Sequence, residues 1–402
     1  MRRTFFIFLT FFITLLSHDV FAQNSIRLSE IEFVNLGDGR LFVNKRDEAK
    51  TPLEGKMRII TGFTTEYIDS EFAEGLAIGK WEYFKNNKLS EVINYDKGYI
   101  TGEKLSYYED GVTLKSKTPY DNGLENGERL SYYRDGITVN VKTPFVKGKV
   151  NGAVVRYSED GKKEYEKTMK DGLDDGPERT YKDGEVMSEI VFKNGKAEGE
   201  SFSIYNKGSN DCYKTTAFYK SGQYDGNYKE EYCNGSPKIS GKYISGKKDG
   251  LWEYYKQDGS RRKPTEGYKD GELIKKITYY INGNIDTERN YKNGKEDGVV
   301  KQYTQDGTLK SEKNYINGKQ VGKQMQYYSS SISDYIESSN YNESGKLDGE
   351  YLETYAETKK VKVKGQYING QKNGKWLYYS LDGTPTREEV YEKGVQKSST
   401  KL

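Results

Sequence analysis

Beyond the first two dozen residues, large apolar side chains do not form runs; they return singly, in columns, at set distances from glycine. A large apolar residue, as in Tyr95, Tyr120, Phe145, Met169, Phe192, Tyr219, Tyr243, Tyr268, Tyr291, Tyr315, Tyr367 and Tyr391, stands three places before a glycine, and four places on a second, anchor glycine usually follows. The anchors are Gly55, Gly79, Gly102, Gly127, Gly152, Gly176, Gly199, Gly226, Gly250, Gly298, Gly322, Gly349 and Gly374, with Lys275 in one expected position. From Gly79 onward they lie 23 to 27 residues apart, about 24.6 on average, which marks an internal repeat. Five residues past an anchor a second ring recurs, as in Phe84, Tyr107, Tyr132, Tyr157, Tyr181, Tyr255, Tyr280, Tyr303, Tyr327 and Tyr379. Where that place holds Ile204, Glu231 or Thr354, the ring comes one residue later, at Tyr205, Tyr232 or Tyr355. Side chains alternate between faces of a strand, so the offset predicts a β-bulge in those three units.

Between the two ring columns stands a turn signal, Asp-Gly or Asn-Gly: Asp110-Gly111, Asp135-Gly136, Asp160-Gly161, Asp258-Gly259 and Asp306-Gly307 among others. Glycine takes positive φ without a Cβ clash, and Asp or Asn bonds its own backbone, so each pair closes two antiparallel strands. Flanking segments such as Lys80-Trp81-Glu82-Tyr83-Phe84 have strand composition, and nowhere in the repeat does a helical apolar period persist. One unit is therefore one hairpin, marginal alone and stabilised by its neighbours. The expected fold is all-β: an elongated, twisted, single-layer antiparallel sheet of about 14 stacked hairpins of about 24 residues, about 130 Å long at ~4.8 Å per strand. A propeller pairing hairpins into four-stranded blades is the rival architecture.

The unit resembles the MORN repeat, particularly its bacterial variant, in Gly79-Lys80-Trp81-Glu82-Tyr83-Phe84, Gly250-Leu251-Trp252-Glu253-Tyr254-Tyr255 and Gly374-Lys375-Trp376-Leu377-Tyr378-Tyr379. Elsewhere the tryptophan place holds Lys104, Arg129, Val154, Glu178, Ser201 or Gln324. The resemblance implies a sheet ribbon serving as scaffold or attachment surface for protein or membrane, and it extends to a bacterial family labelled antitoxin-like.

The first residues follow another logic. Arg2 and Arg3, an uncharged apolar run from Phe5 to Leu16, and Val20-Phe21-Ala22 before Gln23 read as a secretory signal peptide over 1–22. A retained anchor is the alternative, against which the run falls short of the roughly 20 residues that span a bilayer. Residues 23–54 read as a degenerate capping hairpin, 55–396 as the repeat array, and 397–402 as a disordered tail. The mature chain is expected outside the cytosol, periplasmic, surface-associated or secreted.

Composition narrows the chemistry. The one histidine, His18, lies in the removed segment, so histidine triads, general bases and histidine zinc sites are excluded from the mature chain. Lys plus Arg number 64 against 61 Asp plus Glu, a formal +3, so no basic field for nucleic acid is expected. Acidic pairs such as Asp174-Asp175 recur where turns recur, and no Gly-x-x-x-x-Gly-Lys-Ser/Thr loop is present. No catalytic residue, metal or cofactor is assigned. In an oxidising compartment Cys212 and Cys233 either pair or remain two free thiols; antiparallel register places them nearly opposite, which favours pairing. The candidate interaction surface is the set of rings expected to face outward: Trp81, Tyr108, Tyr133, Trp252, Tyr254, Tyr328, Trp376 and Tyr378. The expected function is a non-enzymatic exported scaffold for a protein or cell-envelope partner; the alternative is a polysaccharide-binding module using the tyrosine and tryptophan rows.

Overall fold

The structure, a computed structural model, describes residues 24–329 and 334–402. The predicted signal peptide lies outside the described residues. Among these the chain forms 37 strands, no α-helix, and one 3-10 turn at Leu28–Glu30. It divides into two compact units, Met1–Glu198 and Gly199–Leu402.

In the first unit, consecutive strands Gly55–Ile60, Tyr67–Ala73, Leu76–Lys85, Lys88–Asp96 and Tyr99–Tyr107 each pair antiparallel with the next. Pairing continues through Leu114–Asp121, Gly127–Tyr132, Val139–Val146, Gly152–Tyr157, Lys163–Lys170 and Leu173–Lys182 to Glu185–Lys193. The second unit repeats this order from Gly199–Tyr205 to Val395–Lys401. Unbroken strand-to-strand pairing within each unit excludes four-stranded propeller blades.

The two turns of a hairpin repeat differ. At the connection between units, positive φ falls on both turn residues, as in Lys97 and Gly98 (47° and 86°) or Asn122 and Gly123 (47° and 80°), the geometry of a type I′ turn. At the tips, the Asp carboxylate works instead: Asp110 Oδ1 accepts from the N–H of Val112 at 3.0 Å and of Thr113 at 2.9 Å, and Asp135 does the same for Ile137 and Thr138.

The anchor glycine begins a bulge. Around Gly102 the partners pass from Asn94↔Thr101 to Val92↔Leu105, leaving two extra residues on the glycine strand. The bend brings successive connections together, so that Gly98 N–H donates to Ala77 O at 2.8 Å, Gly123 to Ile100 O at 2.9 Å and Gly148 to Glu125 O at 2.8 Å. In a flat sheet such turns lie two strand spacings apart, about 9.6 Å, beyond hydrogen-bond reach.

A second bulge near the tip corrects the sequence expectation. It occurs in most units, as at Ser131/Tyr132, Arg156/Tyr157, Glu230/Glu231 and Glu353/Thr354, and is absent from the unit of Ile204, where Gly199–Tyr205 pairs without a shift up to Tyr205↔Tyr213. A short Asp-Gly tip is accompanied by one extra residue on the returning strand; the longer connection between Tyr205 and Tyr213 lets the strands run straight.

The N-terminal hairpin, Ile31–Asn35 with Leu41–Lys45, lies along the stacked connections, with Leu41 N–H on Gly98 O and Val43 N–H on Gly75 O, both at 2.8 Å. Its Ile31 and Val43 close a core with Leu53, Ile59, Phe72, Ala77, Trp81, Ile93 and Tyr95. Ser25–Arg27 covers Gly55–Ile60 by parallel pairing. At the other end, residues 397–401, expected to be loose, belong to the strand Val395–Lys401, whose Lys401 pairs with Arg387; backbone bonding outweighs the polar composition there.

Candidate interaction surface

Opposite the ring column at anchor+5, alternation along each strand sends the anchor+2 and anchor+4 residues, with the rings that stand three places before a glycine, to one face. On that face the three tryptophans are buried, at 1%, 2% and 1% exposure for Trp81, Trp252 and Trp376, and so is Tyr254 at 4%. This corrects their assignment to an outward surface, and the packing supplies the reason. A Cβ added at Gly241 would come within 2.3 Å of the Trp252 indole, and one at Gly365 within 2.2 Å of Trp376, so each indole lies flat on bare backbone of the preceding strand. Tyr243 and Tyr228 flank Trp252 at 4.9 and 5.5 Å; Tyr367 and Tyr351 flank Trp376 at 5.1 and 5.2 Å. Lys248 and Lys372 cover the two indoles at 4.2 and 4.1 Å from the ring centroids. Burial pushes the Lys248 ammonium pKa down.

The remaining candidate rings are half-buried and engaged. Tyr108 and Tyr133 hydroxyls donate to the carbonyls of Tyr132 at 2.7 Å and Tyr157 at 2.6 Å, each one unit further along. The same rung recurs at Tyr232, Tyr280 and Tyr355. Tyr328 stacks on Tyr335 at 4.9 Å. Tyr378 donates to Glu389 Oε2 at 2.7 Å beneath the Arg387 guanidinium, and burial, with that bond, pushes its phenol up to about 12. These rings tie hairpin to hairpin.

The opposite face of the first unit carries cross-strand ion pairs, Lys117 with Glu103 and Lys142 with Glu128. Charge is matched locally and the face is solvated.

Two features of the first unit went unread in the sequence. One is the tip edge. Asn87 N–H donates to Thr65 O at 2.9 Å, Gly111 packs on Lys88, and Gly136 packs on Thr113, each leaving no room for a Cβ, so successive tips stack. Along that edge Phe63, Val112 and Ile137 stand 87%, 78% and 81% exposed. The other is a trough of about 410 Å³ where Lys104 and Arg129 replace the indole, lined also by Ser106, Thr118, Ser131 and Thr143. Lys104 turns aside to Glu91 at 3.1 Å and Arg129 to Glu125 at 3.2 Å, which leaves the ring-sized space open.

In the second unit Cys212 and Cys233 are joined, with Cα atoms 5.4 Å apart, and Cys233 N–H donates to Cys212 O at 3.0 Å. Among the described residues no group of three His, Cys, Asp or Glu side chains is placed to hold a metal. Likewise no described helix is long and apolar enough to cross a membrane.

Residues 296–317, most of one repeat, match the family described as MORN repeat variant. No curated protein matches the chain. Among solved structures, the chain is similar to one described as "Crystal Structure of TcdB2-TccC3", at 11% identity over 81% of this chain and 18% of that chain, with a TM-score of 0.14. A second, "Crystal Structure of TcdB2-TccC3-TEV", is 12% identical over 90% of this chain and 22% of that chain, with a TM-score of 0.13. The chain thus spans about a fifth of the length of the solved chains it matches.

Proposed function

We propose that this β-hairpin repeat chain is an exported, non-catalytic scaffold that binds a protein partner of the cell envelope along the hairpin-tip edge of its first unit. The observation that carries the reading is the row of Phe63, Val112 and Ile137, large apolar side chains left 87%, 78% and 81% exposed on stacked tips while the three tryptophans and Tyr254 are buried. Apolar anchors on a rigid, regularly spaced edge suit a protein surface, where a few buried side chains dominate affinity. The hydrogen-bonded tips fix those anchors in advance, which lowers the entropic cost of binding. Export is supported by the basic, apolar and small-residue order of positions 1–22 and by a joined cysteine pair, which suits an oxidising compartment. The saccharide alternative, stated through rows of tyrosine and tryptophan, is less favoured because the three indoles are buried and the named tyrosines are engaged within the sheet.

Proximity labelling in native envelope fractions, comparing the wild-type chain with Val112→Asp/Ile137→Asp, tests the reading. A partner that is reproducible with wild type and lost with the variant is expected. A partner set indifferent to the two substitutions overturns it, as does a mature N-terminus that still carries residues 1–22.

A further inference from the structure

We infer that the trough floored by Thr118 and Thr143 is a binding subsite for a short, uncharged saccharide, a site separate from the protein-binding tip edge and independent of that reading. It arises from a local failure of the repeat. In the units of Trp252 and Trp376 an indole fills the hollow over Gly241 or Gly365. At Lys104 and Arg129 it does not, and a space of about 410 Å³ stays open, within the range of small-ligand pockets.

The lining determines the class of ligand. Thr118 and Thr143 are more than nine-tenths buried, yet neither hydroxyl has a partner among the described residues and neither is sealed from the trough. Both hydroxyls therefore meet solvent inside the trough, where a ligand's own hydroxyls can take the place of water. Ser106 and Ser116 add hydroxyls along the same floor, Ser131 Oγ accepts from the Val141 N–H at 3.1 Å, and Tyr120 lends an aromatic wall. Both cations are already neutralised, Lys104 by Glu91 and Arg129 by Glu125, so the site has little pull on an anion. Its Glu125 carboxylate accepts and its Arg129 guanidinium donates, a pairing that matches the vicinal hydroxyls of a sugar. Val141 is the one aliphatic side chain in a lining otherwise of hydroxyls, charges and one ring, a small anchor for a peptide.

Saturation-transfer NMR and calorimetry on the full mature chain, with cellobiose, maltose, lactose and chitobiose as probes and inorganic sulfate as the anionic control, test the assignment. At least one disaccharide is expected to bind with Kd of about 1 mM or tighter, in the weak range of specific recognition. Thr118→Val/Thr143→Val, which keeps shape and removes both hydroxyls, should weaken it by about tenfold or more, with the circular dichroism spectrum and melting temperature unchanged. Arg129→Trp/Thr118→Gly, which rebuilds the repeat's own ring-on-glycine packing, should abolish it. The inference is overturned if no disaccharide binds, if binding survives both variants, or if sulfate binds at the same place and displaces the sugar. The Val112→Asp/Ile137→Asp variant should bind the disaccharide normally, which separates failure here from failure of the protein-binding reading.

Discussion

The contact between Trp376 and Gly365 lends itself to a quantitative test. Gly365 lies in the strand Val361–Ile368 without positive φ, so alanine meets no backbone objection there, and exchange in an ordinary strand would by itself favour alanine by about 0.5–1 kcal/mol. The obstacle is the ring. A Cβ at this place would sit 2.2 Å from Trp376 Cδ2, and reaching an ordinary carbon contact of ~3.5 Å requires the indole to retreat by roughly 1.3 Å. Trp376 is 1% exposed, with Tyr351 and Tyr367 against it, so the retreat displaces packed neighbours. Overpacking of this kind costs about 1–3 kcal/mol. Gly365→Ala should therefore destabilise the second unit by about 2 kcal/mol, and Trp376→Ala by about 3–5 kcal/mol. In the Trp376→Ala background the same Gly365→Ala change should be neutral or slightly stabilising, giving a coupling of about 2 kcal/mol or more. Urea unfolding of the four proteins, followed by far-UV circular dichroism and hydrogen exchange of the strands around Gly365, measures the cycle. Equal costs for Gly365→Ala with and without the indole would refute the claim that this glycine exists to seat the ring.

Other consequences follow from the same interactions. Tyr133→Phe removes the hydroxyl that donates to Tyr157 O, so it should cost about 0.5–1.5 kcal/mol and raise amide exchange in both adjoining hairpins, read by mass spectrometry. Cys212→Ser/Cys233→Ser opens a link of sequence separation 21, worth about 3 kcal/mol by chain entropy, and the unmodified protein should show no free thiol on titration after unfolding without reductant. Asp110 is held at about 2 by the Thr113 hydroxyl and the Val112 and Thr113 amides, below its ordinary 3.8. A carboxylate depressed on folding stabilises above its unfolded value and loses that contribution as pH falls toward the folded one. Melting temperature should thus decline between pH 3.8 and about 2, and Asp110→Asn should lack that part of the decline.

Glycine and ring spacing were enough to establish hairpins, their length, their number and their all-β class, because strand alternation and turn geometry are local demands written into neighbouring residues. The near-opposition of Cys212 and Cys233 was legible for the same reason. Which face each ring would occupy, and what it would meet there, was not. Trp252 and Trp376 are buried because Gly241 and Gly365, eleven residues earlier, present bare backbone to them, and because the bulges at the anchor glycines fold the connections into hydrogen-bond contact. Lys104 and Arg129 appeared in the sequence as lapses from a pattern; only the packed sheet shows that losing the ring leaves a hollow floored by hydroxyls. Period is a property of the chain and survives any arrangement of its units. Burial is a property of pairs brought together across strands, and those pairs exist only once the hairpins have stacked.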